Sequence, residues 1–299
     1  MNKFKGVYTA LITPFTEEDL LDEEGLRYLL QRQINADVDG IVMLGTTGEA
    51  PTLTVKEKEQ IIEIAKKECA QKTSFIIGTG SYSTKKTVED TIAAENAGAN
   101  AALIVTPYYN KPTQEGLYRH FKEITDATKL PIIIYNIAGR TAQNMQTETL
   151  KRIMEIPSIV GIKEGSGNMF QIGDVIGLAR KIRPDFSVLS SDDALTLPLM
   201  ALGGDGIISV ISNIVPEEVK RMVDAISAGN YSLAQALHHN LMPLVNAAFV
   251  ETNPIPVKAM HQVLGLPGGS CRLPLCSLSN ENALKLQDVM ERYFVASNS

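Results

Sequence analysis

The chain has 299 residues, of which 44% are hydrophobic and 21% charged, the composition of an ordinary soluble globular protein. Its formal net charge of -6 argues against nucleic acid or an anionic membrane surface as the main partner. No apolar run approaches the roughly 18 residues that a membrane span needs, and the 3 cysteines are too few for a disulfide framework. We therefore expect a cytoplasmic globular protein.

Short β-branched, nearly continuous apolar runs recur along the first part of the chain. Parallel strands that are covered by helices on one side and buried on the other have this pattern. The runs lie at residues 6–13, 39–45, 74–80, 101–109, 131–137, 159–165, 186–191 and 206–212.

Amphipathic segments with helix signals separate these runs. Thr54 is placed to cap a helix, with Glu57 at the capping-box position. A second helix is expected to end at Gly98, and a third to begin at Pro216 and end at Gly229. Each predicted strand is therefore followed by a helix.

Eight consecutive strand–helix units over residues 6–229 predict an α/β fold, a (β/α)₈ TIM barrel. An open doubly wound sheet is the alternative, but it rarely needs eight such units. Residues 231–295 carry no strand signal and contain three helical patterns. We therefore predict a catalytic barrel over residues 1–229 and a C-terminal helical extension over residues 230–299.

Lys163 lies in the middle of predicted strand six, and active sites of such barrels lie at the C-terminal ends of the strands. Strand alternation puts Gly161, Lys163 and Gly165 on one face, with Val160 and Ile162 on the other. If the glycines face the crowded interior, the lysine is buried there, which is costly unless it is paired. Two interpretations stay open: an amine nucleophile for a carbonyl substrate, or a structural ion pair with a buried carboxylate.

Hydroxyl groups follow other predicted strands. Tyr135 ends strand five, so its phenol can reach the same space as the lysine and move protons. Thr46 and Thr47 follow strand two and offer hydroxyls and backbone amides to a small carboxylate, although Thr-Thr-Gly is also typical of a plain turn. Arg140 could bind a second carboxylate or be a solvated charge, and Tyr109 could be rim packing.

The sequence does not favour metal or nucleotide chemistry. The four histidines lie on predicted helices without metal-ligand spacing. Asp192 and Asp193 are better explained by helix capping than by metal binding. No phosphate-binding loop or complete dinucleotide fingerprint occurs. We therefore expect neither a metal site nor a bound nucleotide.

At these positions the sequence resembles the dihydrodipicolinate synthase and N-acetylneuraminate lyase superfamily, pyruvate-dependent Schiff-base enzymes on a (β/α)₈ barrel. The resemblance covers nearly the whole chain, and the motifs fit the synthase branch better than the sialic acid lyases. In chain order the motifs are ALITPF, GTTGE, TPYYNKP, YN-x-x-GRT, GIKEGSGN, SDD, GIISV and NPIPVK.

The resemblance implies a role for each matching residue. Lys163 would form the imine with pyruvate, and Tyr135 would relay protons with Thr47 and with Tyr109, the latter from a neighbouring subunit. Thr46 and Thr47 would hold the pyruvate carboxylate. Ile208 would line the pocket, and Arg140 would bind the carboxylate of the second substrate, aspartate 4-semialdehyde. The resemblance also implies a homotetramer built as a dimer of dimers.

The implied reaction is the condensation of pyruvate with aspartate 4-semialdehyde on the route to diaminopimelate and lysine. A retro-aldol lyase or dehydratase of the same superfamily, acting on a sugar acid, is the nearest alternative. A non-catalytic barrel that binds a keto acid as a sensor is a more distant one.

The chain departs from the superfamily pattern at Ala138, Ala142 and Ser191, where proline, glycine and glycine are usual. These changes leave the reactive residues intact but could alter second-substrate specificity.

The positions that form the lysine-inhibition pocket in some relatives also differ, and two carry a positive charge. We therefore expect weak or absent inhibition by L-lysine. In this chain those positions are Ala50, Pro51, Val55, Lys58, Tyr82 and Lys86.

Overall fold

The structure, a computed structural model, describes residues 3–296. Eight parallel strands hydrogen-bond in chain order, and the first also pairs with the last, which closes the barrel. The predicted barrel is therefore confirmed over the open sheet. The strands are β1 (Gly6–Ala10), β2 (Gly40–Met43), β3 (Ser74–Gly78), β4 (Ala101–Val105), β5 (Ile132–Asn136), β6 (Ile159–Glu164), β7 (Ser187–Ser190) and β8 (Gly206–Ser209).

Helices surround the barrel, and the last three follow it. They are α1 (Glu23–Asn35), α2 (Val55–Cys69), α3 (Thr84–Ala97), α4 (Gln114–Ala127), α5 (Ala138–Thr141), α6 (Thr147–Met154), α7 (Met169–Ile182), α8 (Thr196–Ala201), α9 (Pro216–Ser227), α10 (Tyr231–Ala248), α11 (Ile255–Val263) and α12 (Asn280–Ala296). Within residues 3–296, no helix is both long and apolar enough to cross a membrane.

The predicted helix ends are present. Thr54 and Glu57 form the capping box at the start of α2, each side chain accepting from the other's backbone N–H. Gly98 ends α3 in the left-handed conformation at φ +83°, which costs glycine no Cβ clash. Pro216 is the first residue of α9. Local sequence therefore determines where these helices begin and end.

The barrel interior is a separate hydrophobic cluster to which every strand contributes. Lys163 lies in register with Tyr135 and with Leu189 of this cluster, so the predicted inward direction of the lysine is confirmed. The prediction for Val160 is wrong, because Val160 also belongs to the interior cluster. The β5–β6 pairing shifts by one residue there, and such an irregularity moves a side chain to the other face. One interior residue from each strand is Tyr8, Val42, Ile76, Leu103, Ile133, Val160, Leu189 and Ile208.

The C-terminal helices α10 to α12 occupy the three predicted helical segments. Leu241, Met260 and Met290, one from each helix, belong to the same hydrophobic core as the outer faces of the barrel strands. The extension is thus packed on the barrel through buried apolar side chains. The division at residues 229 and 230 stays a prediction.

Candidate active site

Lys163 and Tyr135 lie side by side inside the barrel. The lysine Nζ is 4.3 Å from the centroid of the tyrosine ring, and the two residues are 5% and 8% exposed. The ion pairs among residues 3–296 do not include Lys163, whereas the other buried lysine, Lys258, lies 2.6 Å from a carboxylate oxygen of Glu49. Lys163 is therefore a buried amine against an aromatic face, without the structural ion pair that the sequence left open.

The turn after β2 places the two threonines differently. Thr47 is 3% exposed, whereas Thr46 lies at the surface. Leu44 and Glu49 flank the turn in the left-handed conformation, at φ 56° and 52°. A Cβ at Gly78 would lie 2.3 Å from the Leu44 carbonyl oxygen, so glycine on β3 permits this close approach. The backbone thereby turns Thr47 inward at the end of the strand.

Asn253, between α10 and α11, joins two of the predicted binding residues. Its side-chain Nδ2 donates to Thr47 Oγ1 at 2.9 Å, and its backbone carbonyl accepts from Arg140 Nη2 at 3.3 Å. Asn253 is 4% exposed. The sequence analysis missed this residue, although it begins the NPIPVK motif, the signal that could have found it.

A buried ion pair holds the other end of the same turn. Glu49 lies 2.6 Å from Lys258 Nζ, which also donates to the Ser270 carbonyl at 3.0 Å. The second Glu49 carboxylate oxygen accepts from the Arg272 backbone N–H at 2.9 Å. Burial lowers the pKa of Lys258, and the Glu49 carboxylate opposes this shift. The extension therefore fixes the turn through charge as well as through Asn253.

Arg272 extends this connection to the surface of the barrel. Its guanidinium lies 2.6 Å from Glu57 and 2.8 Å from Asp19 and 4.1 Å from the ring centroid of Phe15. The hydrogen bond from Arg272 lowers the pKa of Glu57 to about 2. The start of α2 and the loop after β1 thus share one cation from the extension.

Ser191, directly after β7, contacts the tyrosine hydroxyl. Its Oγ donates to Tyr135 Oη at 3.1 Å, and its backbone N–H donates to the Glu164 carbonyl at 3.0 Å. In the part of the chain that the structure describes, neither Thr46 nor Thr47 hydrogen-bonds to Tyr135. The sequence analysis had noted Ser191 only as a departure from the superfamily pattern.

Three further predicted residues differ in their surroundings. Ile208 lies on β8 in the barrel interior, fully buried, and Arg140 lies on α5 at the surface. Tyr109, in the loop after β4, is 91% exposed with φ 71°. No hydrogen bond between residues 3 and 296 connects Tyr109 to Tyr135, so one chain alone does not bring these two tyrosines together.

The aspartates after β7 are used within the fold. Asp192 caps a short 3₁₀ turn by accepting from the Ala194 N–H at 2.9 Å, as predicted. Asp193 accepts from Ser209 Oγ at 2.6 Å and from the Val210 N–H at 3.0 Å, and burial raises its pKa. Among residues 3–296, no group of three or more His, Cys, Asp or Glu side chains is placed to hold a metal ion.

Comparisons with known proteins agree with this fold. The model of the dihydrodipicolinate synthetase family matches residues 3–293. The chain is 57% identical over 286 residues to the 4-hydroxy-tetrahydrodipicolinate synthase of Protochlamydia amoebophila, covering 96% of this chain and 95% of that one. It resembles the crystal structure of dihydrodipicolinate synthase from Thermotoga maritima at a TM-score of 0.96 and 41% identity, covering 98% and 100% of the two chains.

A third similar protein is described as the first monomeric dihydrodipicolinate synthase variant, with a TM-score of 0.95, 41% identity and 97% of each chain covered. The matches thus span the barrel and the extension alike, including both segments that meet around Thr47. The chain belongs to the dihydrodipicolinate synthetase family.

Proposed function

We propose that the chain catalyses the 4-hydroxy-tetrahydrodipicolinate synthase reaction, condensing pyruvate with aspartate 4-semialdehyde in diaminopimelate and lysine biosynthesis in the cytoplasm. The observation that carries the proposal is the buried Lys163 amine, free of any carboxylate in the described chain and 4.3 Å from the Tyr135 ring centroid. The names of the curated relatives supply the reaction.

The lysine amine attacks the keto carbon of pyruvate. Two proton transfers convert the resulting carbinolamine to an imine and water. Loss of a methyl proton then gives an enamine, whose carbon attacks the aldehyde carbon of the second substrate. The substrate amine finally attacks the imine carbon, closes the ring and releases the Lys163 amine. The protein amine acts as electron sink, so the proposal needs no metal or organic cofactor.

Each proton in this sequence needs a donor or acceptor beside the imine. Tyr135 is the residue on β5 that is in register with Lys163, and it relays protons with Thr47 and Tyr109 in our proposal. Thr46 and Thr47 bind the pyruvate carboxylate through the turn after β2. Ile208 lines the apolar side of the pocket.

Arg140 binds the carboxylate of aspartate 4-semialdehyde. Its guanidinium donates to the Asn253 carbonyl and lies at the surface, which leaves further donors for a carboxylate that arrives from solvent.

The proposed assembly is a homotetramer, a dimer of dimers, in which Tyr109 enters the site of the neighbouring subunit. Its 91% exposure supports this arrangement, because a proton-relay tyrosine must contact other members of the relay.

The test is reductive trapping. The protein is incubated with pyruvate, reduced with borohydride, digested and analysed by mass spectrometry. We expect a pyruvyl adduct on the peptide containing Lys163 and none on the peptide containing Lys258, the buried lysine that is paired with Glu49. A folded protein without an adduct on Lys163 would contradict the proposal.

A substrate panel separates the synthase from its alternatives. With an adduct in place, turnover of aspartate 4-semialdehyde supports the synthase. Cleavage or dehydration of a sugar acid instead would identify another member of the superfamily. Pyruvate binding without turnover of either substrate class would indicate a keto-acid sensor.

A further inference from the structure

Ser191 directly follows β7, and backbone contacts with β6 determine the position of its hydroxyl group. Its N–H donates to the Glu164 carbonyl at the end of β6. A Cβ at Gly165 would lie 3.0 Å from both Cβ and Oγ of Ser191, so the absent side chain of the glycine provides the space that the serine occupies. From there Ser191 Oγ reaches Tyr135 Oη on β5 at 3.1 Å. The contact spans β6, the strand of Lys163.

The direction of this hydrogen bond has a chemical consequence. Ser191 donates and Tyr135 accepts, so the phenol proton of Tyr135 is left to point elsewhere. A phenol has one proton to donate and its oxygen accepts. With its oxygen already holding a donor, Tyr135 can give its own proton to a group beside Lys163.

We propose that Ser191 is a positioning residue of the reaction, which orients the Tyr135 hydroxyl and stabilises the negative charge on its oxygen when the phenol proton is transferred. This inference rests on the proposed Schiff-base function. As Tyr135 passes its proton to the departing hydroxyl of the carbinolamine, the bond from Ser191 becomes a hydrogen bond to a charged oxygen, which is the stronger kind.

Because the bond strengthens only as the proton moves, its effect belongs to the transition state rather than to substrate binding. Interactions that are made more strongly in the transition state raise kcat and leave KM unchanged. Ser191 therefore contributes to turnover and not to the affinity for pyruvate.

The test compares Ser191→Ala and Ser191→Thr with the wild type in steady-state assays and in the borohydride experiment. We expect Ser191→Ala to lower kcat roughly tenfold or more, the effect of removing a hydrogen bond to a charged group. The pyruvate KM should stay within about twofold of the wild-type value. Trapping should still reach Lys163, but at a lower rate. Ser191→Thr, which keeps the hydroxyl, should recover most of the rate.

Ser190→Ala is the matched control. It removes the neighbouring hydroxyl, which hydrogen-bonds to the backbone of Asp192, and should change thermal stability without the selective loss of kcat.

Wild-type kcat in Ser191→Ala, or a Ser191→Thr variant as slow as Ser191→Ala, would overturn the inference. A wild type without an adduct on Lys163 would contradict the proposed function itself. The adduct in the wild type therefore tests the function, and the kinetics of the Ser191 variants test the role of Ser191.

Discussion

Asn253 and Thr47 are 206 residues apart in the chain and joined by a hydrogen bond of 2.9 Å from side-chain amide to side-chain hydroxyl. The bond connects the helical extension to the turn after β2. Through its backbone carbonyl the same Asn253 accepts from Arg140. One residue of the extension thus contacts the proposed binding groups for both substrates, by two different atoms.

This separation predicts a selective effect of Asn253→Ala. The substitution removes the donor to Thr47 and keeps the carbonyl that Arg140 uses. We expect the KM for pyruvate to rise roughly tenfold, the equivalent of one hydrogen bond, with little change in the KM for aspartate 4-semialdehyde. Steady-state kinetics with each substrate varied in turn measures both values.

Asn282→Ala serves as the control for this variant, because Asn282 donates to Glu251, two residues before Asn253, at 2.8 Å and its removal leaves the bonds of Asn253 to Thr47 and Arg140 in place. It should leave both KM values unchanged. Equal rises in both KM values for Asn253→Ala would show that the residue acts by general disruption instead.

The buried pair of Glu49 and Lys258 predicts non-additive losses of stability. Lys258→Met leaves the Glu49 carboxylate buried without its cation, so the free energy of unfolding should fall by about 3–5 kcal/mol. Adding Glu49→Gln removes the unpaired charge, and the double variant should be more stable than Lys258→Met alone. Urea unfolding of the wild type, Lys258→Met, Glu49→Gln and the double variant measures the coupling energy between the two side chains. A double variant with the sum of the two single losses would contradict it.

Two buried histidines predict a loss of stability in mild acid. Burial lowers the pKa of His120 and of His261 from 6.5 to about 4. Between these values the unfolded state binds more protons than the folded state, so the free energy of unfolding decreases as the pH falls from 6.5 towards 4. The expected loss between pH 7 and pH 5 is about 2 kcal/mol for each histidine.

Replacing either histidine with glutamine, which does not titrate, should flatten this dependence in urea unfolding at a series of pH values. Burial raises the pKa of Glu164 and of Asp193. Each of these carboxyl groups therefore makes the free energy of unfolding decrease, not increase, as the pH rises above its ordinary pKa. Their contribution is common to wild type and variant, so the difference between the two curves isolates the histidine. Parallel curves would disprove the prediction.

The exposure of Tyr109 predicts complementation between two inactive variants. Lys163→Ala and Tyr109→Phe should each have little activity alone. In a dimer containing one of each, one site combines the intact lysine with the intact tyrosine of the other subunit. Co-expressed at equal levels, the variants should recover about one quarter of the wild-type specific activity, since half of the dimers are mixed and half of their sites intact. An inactive mixture would mean that Tyr109 acts within its own subunit or not at all.

Inhibition by L-lysine is expected to be weak or absent. Lys58 belongs to α2 and is half-buried. Lys86 belongs to α3 and forms an ion pair with Asp90. If they face a regulatory pocket, their charges repel a lysine ammonium group. Initial rates should not change at millimolar L-lysine. A calorimetric isotherm showing tight binding together with lost activity would refute this expectation.

The sequence by itself determined the barrel, the helix ends and the inward direction of Lys163. Each of these depends on short-range patterns: buried β-branched runs, capping residues and the alternation of side chains along a strand. The same alternation misplaced Val160, because a one-residue shift in pairing with β5 depends on the neighbouring strand and leaves no mark on β6 alone.

Only the tertiary structure decided what surrounds the reactive residues. Whether Lys163 was a free amine or half of an ion pair depended on whether a carboxylate lay beside it in the fold. Among residues 3–296 the buried lysine that pairs with a carboxylate is Lys258, with Glu49. The contacts of Thr47 with Asn253 and of Tyr135 with Ser191 join strands and loops 206 and 56 residues apart. Periodicity reports which face a side chain occupies, but a hydrogen-bond partner at that distance in the chain is set by how the barrel closes and where the extension packs.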